Sequence, residues 1–189
     1  NTRAQSKVGD SSIYFDGTGD YLSIPASSDF DVGTNFTAEC WFRYGADDEG
    51  GIMGTQNTSG YSGWLLRITN TTDTLDFNNY GSSGGAEAQV TSAGLTWVVG
   101  QWYHLAAVKE GDDYELFRDG TSVATTTDSS SLSTGGAMFI GKDYNVDYNL
   151  CHMDEIRISD SARYTSSFTP STTEFTADSN TKLLIHSNW

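Results

Sequence analysis

Phe36-Thr37-Ala38-Glu39-Cys40-Trp41-Phe42 is the stretch on which the fold turns. Phe36, Ala38, Cys40 and Phe42 fall on one side of a two-residue period; Thr37, Glu39, Trp41 and Arg43 fall on the other. Successive side chains of an extended chain point to opposite faces, so this run is a strand with one face on a core. The pattern repeats outward in both directions. Ile13 and Phe15 alternate with Ser12 and Tyr14, and Leu22 and Ile24 with Tyr21 and Ser23. Tyr103, Leu105 and Ala107 alternate with His104, Ala106 and Val108. Further strands are expected at 64–69, 74–79, 87–92, 114–118, 122–126, 137–141 and 153–159.

Asp16-Gly17, Gly50-Gly51, Gly84-Gly85, Asp119-Gly120 and Gly135-Gly136 punctuate these runs as turns. Apolar residues nowhere recur at helical spacing over three turns; a short turn near 159–164 is the one helical candidate. Many short strands with frequent turns make an all-β, two-sheet antiparallel jelly-roll sandwich, and 189 residues suit one such domain. The Ser/Thr-rich 125–134 reads as a solvated loop. The polar 165–180 reads as a linker or surface strap leading into a last strand, Thr181-Lys182-Leu183-Leu184-Ile185-His186.

Twenty-five acids against 10 bases give a net charge of -15. That balance excludes a nucleic-acid partner, which needs clustered Lys and Arg. No run approaches the roughly 18 apolar residues of a membrane span, so no membrane insertion is expected. The acid excess makes a self-repelling surface, within which a few oxygens could serve a hard cation such as calcium. Cys40 and Cys151 are too few for a disulfide framework and lack metal-ligand spacing. They read as buried thiols, with one bridge left open. The start Asn1-Thr2-Arg3, without Met, reads as a piece of something longer.

Five pieces in order carry a family likeness. They are Ser12-Ile13-Tyr14-Phe15-Asp16-Gly17 with Asp20-Tyr21-Leu22; Phe36 to Phe42; Gln101-Trp102-Tyr103-His104-Leu105-Ala106; Leu116-Phe117-Arg118-Asp119-Gly120; and Met153-Asp154-Glu155-Ile156-Arg157-Ile158. Over roughly residues 10–165 the chain resembles the laminin G-like, concanavalin A-like jelly rolls, a group that includes pentraxins. The opening 12–24 and the tail 178–188 resemble modules that stand in tandem in phage and marine metagenomic proteins. In those arrays Thr-Lys-Leu-Leu-Ile-His begins a module, whereas here it stands at the end. The resemblance therefore implies a domain at 1–170 and, at 171–189, a strap and strand that complete the sandwich or open a next module.

The resemblance also implies a function: non-catalytic recognition of carbohydrate or surface glycan, or adhesion, within a larger viral or secreted protein. Partners would be a cell-surface polysaccharide and neighbouring modules or virion proteins, at the virion or outside cells. A purely structural virion domain and an atypical glycoside hydrolase or lyase are the alternatives.

Candidate sites follow. Asp16 and Asp20 flank a glycine turn, and the resemblance places Asp154 on a late strand near the first, so the three are a candidate calcium set. The loop 56–62 carries Asn57 and Tyr61; the loop 142–149 carries Asp143, Tyr144, Asn145 and Asp147. The resemblance sets both loops on one rim, where pentraxin-like proteins hold calcium and ligand. Lys142 opposes a metal there, which leaves a Tyr/Asn/Asp set suited to sugar: rings for C–H faces, planar polar groups for hydroxyls. Catalysis lacks its parts. Asp154 and Glu155 are adjacent, which on a regular strand sends them to opposite faces, and Asp119 sits in a turn. His104, His152 and His186 have no nucleophile arrangement around them.

Overall fold

The computed structural model describes residues 2–3, 5–30, 33–45, 50–55, 62–69, 71–80, 86–129, 136–143 and 147–188. Its strands are β1 (Ile13–Asp16), β2 (Leu22–Ile24), β3 (Asn35–Tyr44), β4 (Gly50–Gly54), β5 (Gly63–Thr69), β6 (Thr74–Tyr80), β7 (Ala86–Thr91), β8 (Trp102–Glu110), β9 (Asp113–Arg118), β10 (Thr121–Thr127), β11 (Met138–Ile140), β12 (Leu150–Ser159) and β13 (Thr181–Ile185). One sheet runs β1-β12-β3-β8-β9-β10, with β13 also on β12; the other runs β2-β11-β4-β5-β6-β7. All pairings are antiparallel. Among the described residues the one helical element is a 3-10 turn, Ser28–Phe30. The expected helical turn at 159–164 is corrected: Ser159 ends β12 and the chain continues through bends.

The alternation of β3 places Phe36, Ala38, Cys40 and Phe42 in the core between the sheets. Phe36 meets Trp64 edge-on at 5.0 Å and Phe77 at 5.7 Å, which ties the sheets together. Cys40 lies opposite Leu105 and Cys151 opposite Tyr44, so no register brings the thiols face to face. Both are free and buried, and burial pushes both thiols up.

β4 is the strand that turn-reading missed, because Gly50-Gly51 looks like a hairpin tip. The glycines serve close approach instead. A Cβ on Gly51 would collide with the Lys142 carbonyl, and one on Gly50 would press on the Asn149 amide.

The outward residues of the larger sheet are not all in solvent. Ala106, Val108 and Phe117 form a second small core with Ala162, Tyr164 and Phe168, and Tyr164 stacks on Phe168 at 3.5 Å. The stretch 160–180 is thus a strap across this face. Trp41 points outward, as its alternation requires, yet it is only 5% exposed because Ser171 O accepts its indole N–H at 3.1 Å. Under the strap, Glu39 is fully buried and engages Arg157, His104 and Tyr164.

β1 covers β12 at residues 150–153 and β13 covers it at 156–159, along the same edge. Between them β12 bulges, and Glu155 takes a positive φ of 50°. That bulge overrides the regular two-residue period assumed for Asp154 and Glu155. Asp154 turns to the N-terminal segment, while Glu155 accepts from Phe175 N and from His186 Nδ1, the latter at 2.7 Å.

Candidate functional site

Asp16, Asp20 and Asp154 do not assemble into a metal centre. Asp16 lies opposite Leu150 and Ile13 opposite Met153, so Asp154 is four positions along β12 from Asp16's partner, about 13 Å away. Asp154 is also fully occupied. Its Oδ2 accepts Lys7 N at 3.1 Å and Val8 N at 2.9 Å; its Oδ1 accepts Glu155 N at 3.0 Å and Ser187 Oγ at 2.6 Å. Four hydrogens aimed at one carboxylate leave no face for a cation. Asp16 accepts Thr18 N at 2.8 Å, an ordinary turn contact that holds its carboxyl below the usual range. Among the described residues no group of three or more His, Cys, Asp or Glu could hold a metal.

The anchors of the two expected ligand loops lie at opposite ends of the β4–β11 pair. β11 runs antiparallel to β4, with Phe139 opposite Gly54 and Ile140 opposite Met53. The loop after β11 therefore lies beside the start of β4, at Gly51, whereas the loop after β4 leaves from its other end. The sequence does not display the β4–β11 pairing, which is why both loops were set on one rim. Asn57, Tyr61, Tyr144 and Asn145 lie outside the described residues. Asp143 is buried and builds its loop: its Oδ1 accepts Asp147 N at 2.9 Å and its own N donates to Asp147 O at 3.1 Å. Asp147 is exposed.

What gathers at the Gly51 end is a rim of connections. The turn after β1 meets Leu150, Gly100 N donates to Tyr44 O at 2.7 Å, Leu95 N donates to Asp73 O at 2.8 Å, and Asn149 Nδ2 donates to Gly51 O at 2.8 Å. Two aromatic features stand here. Tyr21, 43% exposed, lies 5.9 Å from Phe139 and 6.2 Å from Tyr148, and Lys142 Nζ sits 4.2 Å over Tyr21 and 4.3 Å over Phe139. Lys142 is held on ring faces, which fixes its charge at this rim. The second feature is a cleft of about 360 Å³ lined by Tyr44, Asp73, Leu95, Thr96, Trp97 and Val99. Trp97 stacks on Tyr44 at 5.9 Å, donates its indole N–H to Asp73 O at 3.1 Å, and carries the Arg118 guanidinium at 5.3 Å. Val98 and Val99 beside it are 50% and 65% exposed.

Tyr21 was legible as an outward residue from its alternation with Leu22 and Ile24, whereas Phe139 stands in the uniformly apolar run Met138-Phe139-Ile140 and was not. Nor was Trp97, because 93–101 shows no period to read.

Two antiparallel sheets packed face to face, closed by a rim of loops, make the chain a concanavalin A-like jelly roll. Residues 16–167 match the laminin G type described as the concanavalin A-like lectin/glucanases superfamily, and the chain belongs to that family. Mouse pappalysin-1 is 27% identical over 127 residues, covering 61% of this chain and 8% of that protein. A Bacteroides ovatus protein provisionally assigned to carbohydrate binding superposes with a TM-score of 0.72 at 17% identity, over 93% of this chain and 50% of its own. Domains LG4-5 of the mouse laminin alpha1 chain superpose at 0.61 and 18% identity, over 85% and 46%. The chain thus spans a small part of its curated relative and about half of these solved chains. At such identities the structures share the fold.

Proposed function

We propose that this chain is a carbohydrate-recognition module that binds without turnover, and that its ligand lies on the loop rim at Tyr21, Phe139 and Tyr148. The observation that carries this reading is a group of partly open rings with a cation fixed at 4.2 Å over one of them. Rings take the C–H face of a sugar, and a fixed ammonium donates to its hydroxyls. The Bacteroides ovatus relative, provisionally assigned to carbohydrate binding, supports the substrate class. Binding without hydrolysis is supported by the carboxylates: Asp154 and Glu155 are buried and spent on backbone amides and a histidine. The setting we infer is one module of a larger protein, since the chain spans only 8% of its curated relative, and the laminin G-like family supports an extracellular one.

A glycan array identifies the sugar, and NMR titration of that sugar locates it. Tyr21→Ala and Tyr148→Ala should each weaken binding about tenfold, close to 1.4 kcal/mol. Unchanged affinity in both variants, or no sugar bound on a broad array, would end this reading.

A further inference from the structure

The outer face of the larger sheet carries a second row that the strap leaves open. Tyr14 lies directly opposite His152, His152 opposite Arg43, and Arg43 opposite Trp102. Residues paired this way share a face. Phe15, Met153, Phe42 and Tyr103, next to them on the same four strands, are in the core, so the row faces outward. Adjacent strands lie about 4.8 Å apart, which makes the row about 14 Å long. Tyr14 is 45% exposed and its ring lies 4.8 Å from the His152 imidazole; Arg43 and Trp102 are partly exposed.

With 25 acids for 10 bases, a cation should find a partner easily. Arg67 has Asp76, Arg157 has Glu39, Arg163 has Asp178 and Lys182 has Asp160. Arg43 has no hydrogen bond or ion pair among the described residues. Lys7, Arg118 and Lys142 also lack an acid partner but lie over aromatic rings; Arg43 has neither among the described residues. Gly100, at φ +84°, keeps its backbone beside the guanidinium, where a Cβ would come within 3.1 Å of Nη2. Burial and the Arg43 charge hold the His152 imidazole below the usual histidine range, so Arg43 is the one full charge of the row at neutral pH. Lys7, 4.0 Å over the neighbouring Trp41, adds a second cation at the border.

We propose that Tyr14, His152, Arg43 and Trp102 bind the carboxylate-bearing unit of an acidic saccharide. Arg43 takes the carboxylate with paired N–H donors, and the flanking rings take the sugar faces. A peptide is disfavoured here. β12, β3 and β8 are interior strands with both edges paired, so a peptide adding to the sheet at the edge strand β1 would run beside Tyr14 and not along Arg43, which lies two strands further in. The row borders the loop rim at Gly100 but shares none of its four residues with the Tyr21, Phe139 and Tyr148 group, so it can be tested apart from that group.

The test is calorimetric titration of the full chain with trigalacturonate, its methyl ester and a heparin hexasaccharide. Trigalacturonate should bind, its ester should not, and the sulfated probe should bind more weakly. Arg43→Gln should weaken trigalacturonate about tenfold or more, and Arg43→Lys less. Because Arg43 has no hydrogen bond or ion pair among the described residues, its variants should melt with the wild type, which checks the fold. Equal affinity of acid and ester, or of wild type and Arg43→Gln, would overturn the proposal. Tighter binding of the sulfated probe would overturn the carboxylate assignment, and loss in Tyr21→Ala alone would move the acid to the rim.

Discussion

Glu39→Gln is the substitution that most directly probes how the strap is held. The Glu39 Oε1 accepts Arg157 Nε at 2.8 Å and Nη2 at 2.6 Å; Oε2 accepts Tyr164 OH at 2.7 Å and His104 Nε2 at 3.1 Å. Arg157's side chain is 9% exposed and lies 4.2 Å over the Phe175 ring, so neither charge has water to fall back on. Glutamine keeps the shape, removes the counter-charge and turns an amide N–H₂ toward existing donors. Removing one member of a buried pair costs about 3–5 kcal/mol. For a domain of this size that is a fall in Tm of about 6–20 °C. Thermal and urea unfolding at pH 7 measure it, and hydrogen exchange should rise in 160–175 before it rises in β6. The pH dependence is specific. Burial alone would push Glu39 up, but His104, Arg157 and Tyr164 together hold it below its ordinary 4.5. A carboxyl lowered in the folded state contributes stability above its unfolded value and loses it as pH falls through the folded value. The gap between wild type and variant should therefore be constant near neutrality and close as the pH drops below 4.5. A Tm within about 2 °C of wild type, with unaltered protection of the strap, would refute the reasoning.

Asp154→Asn should cost about 2–4 kcal/mol by setting an amide against the Lys7 and Val8 N–H groups, with faster exchange in residues 5–12. Neither wild type nor this variant should change its Tm with millimolar calcium or chelator, and a calcium-dependent Tm that Asp154→Asn abolished would restore the metal reading. Cys40 and Cys151, both fully buried with their thiols pushed up, should resist alkylation in the native state and take two adducts in denaturant without reductant. A mass showing a bridge would contradict the register. No reducing ends should appear from β-glucans; turnover lost in Glu155→Gln would show that Glu155 is more than a clamp for Phe175 and His186.

The sequence carried the layers of this fold better than their lateral order, for a physical reason. Which face a residue takes is a local property of an extended chain, so Phe36, Cys40 and Phe42 were legible as core, and Trp41 and Tyr21 as outward. Which strands pair is set by contacts far apart in sequence. β4 was hidden because its glycines answer to Lys142 and Asn149, residues far along the chain, and with β4 unseen the ends from which the two loops depart could not be ordered. Asp154 and Glu155 failed for a third reason. Strand parity assumes a regular ladder, and the bulge at Glu155 breaks it where two edge strands hand over. That break explains why adjacent carboxylates can be buried at the edge of a sheet. The gap between β1 and β13 leaves the backbone amides of Lys7, Val8 and Phe175 without a strand partner, and the two carboxylates supply the missing acceptors. Acids at this point are therefore structural, whereas Arg43, on an unbroken part of the same sheet, has no backbone partner among the described residues, which is what sets it apart as a candidate for a ligand.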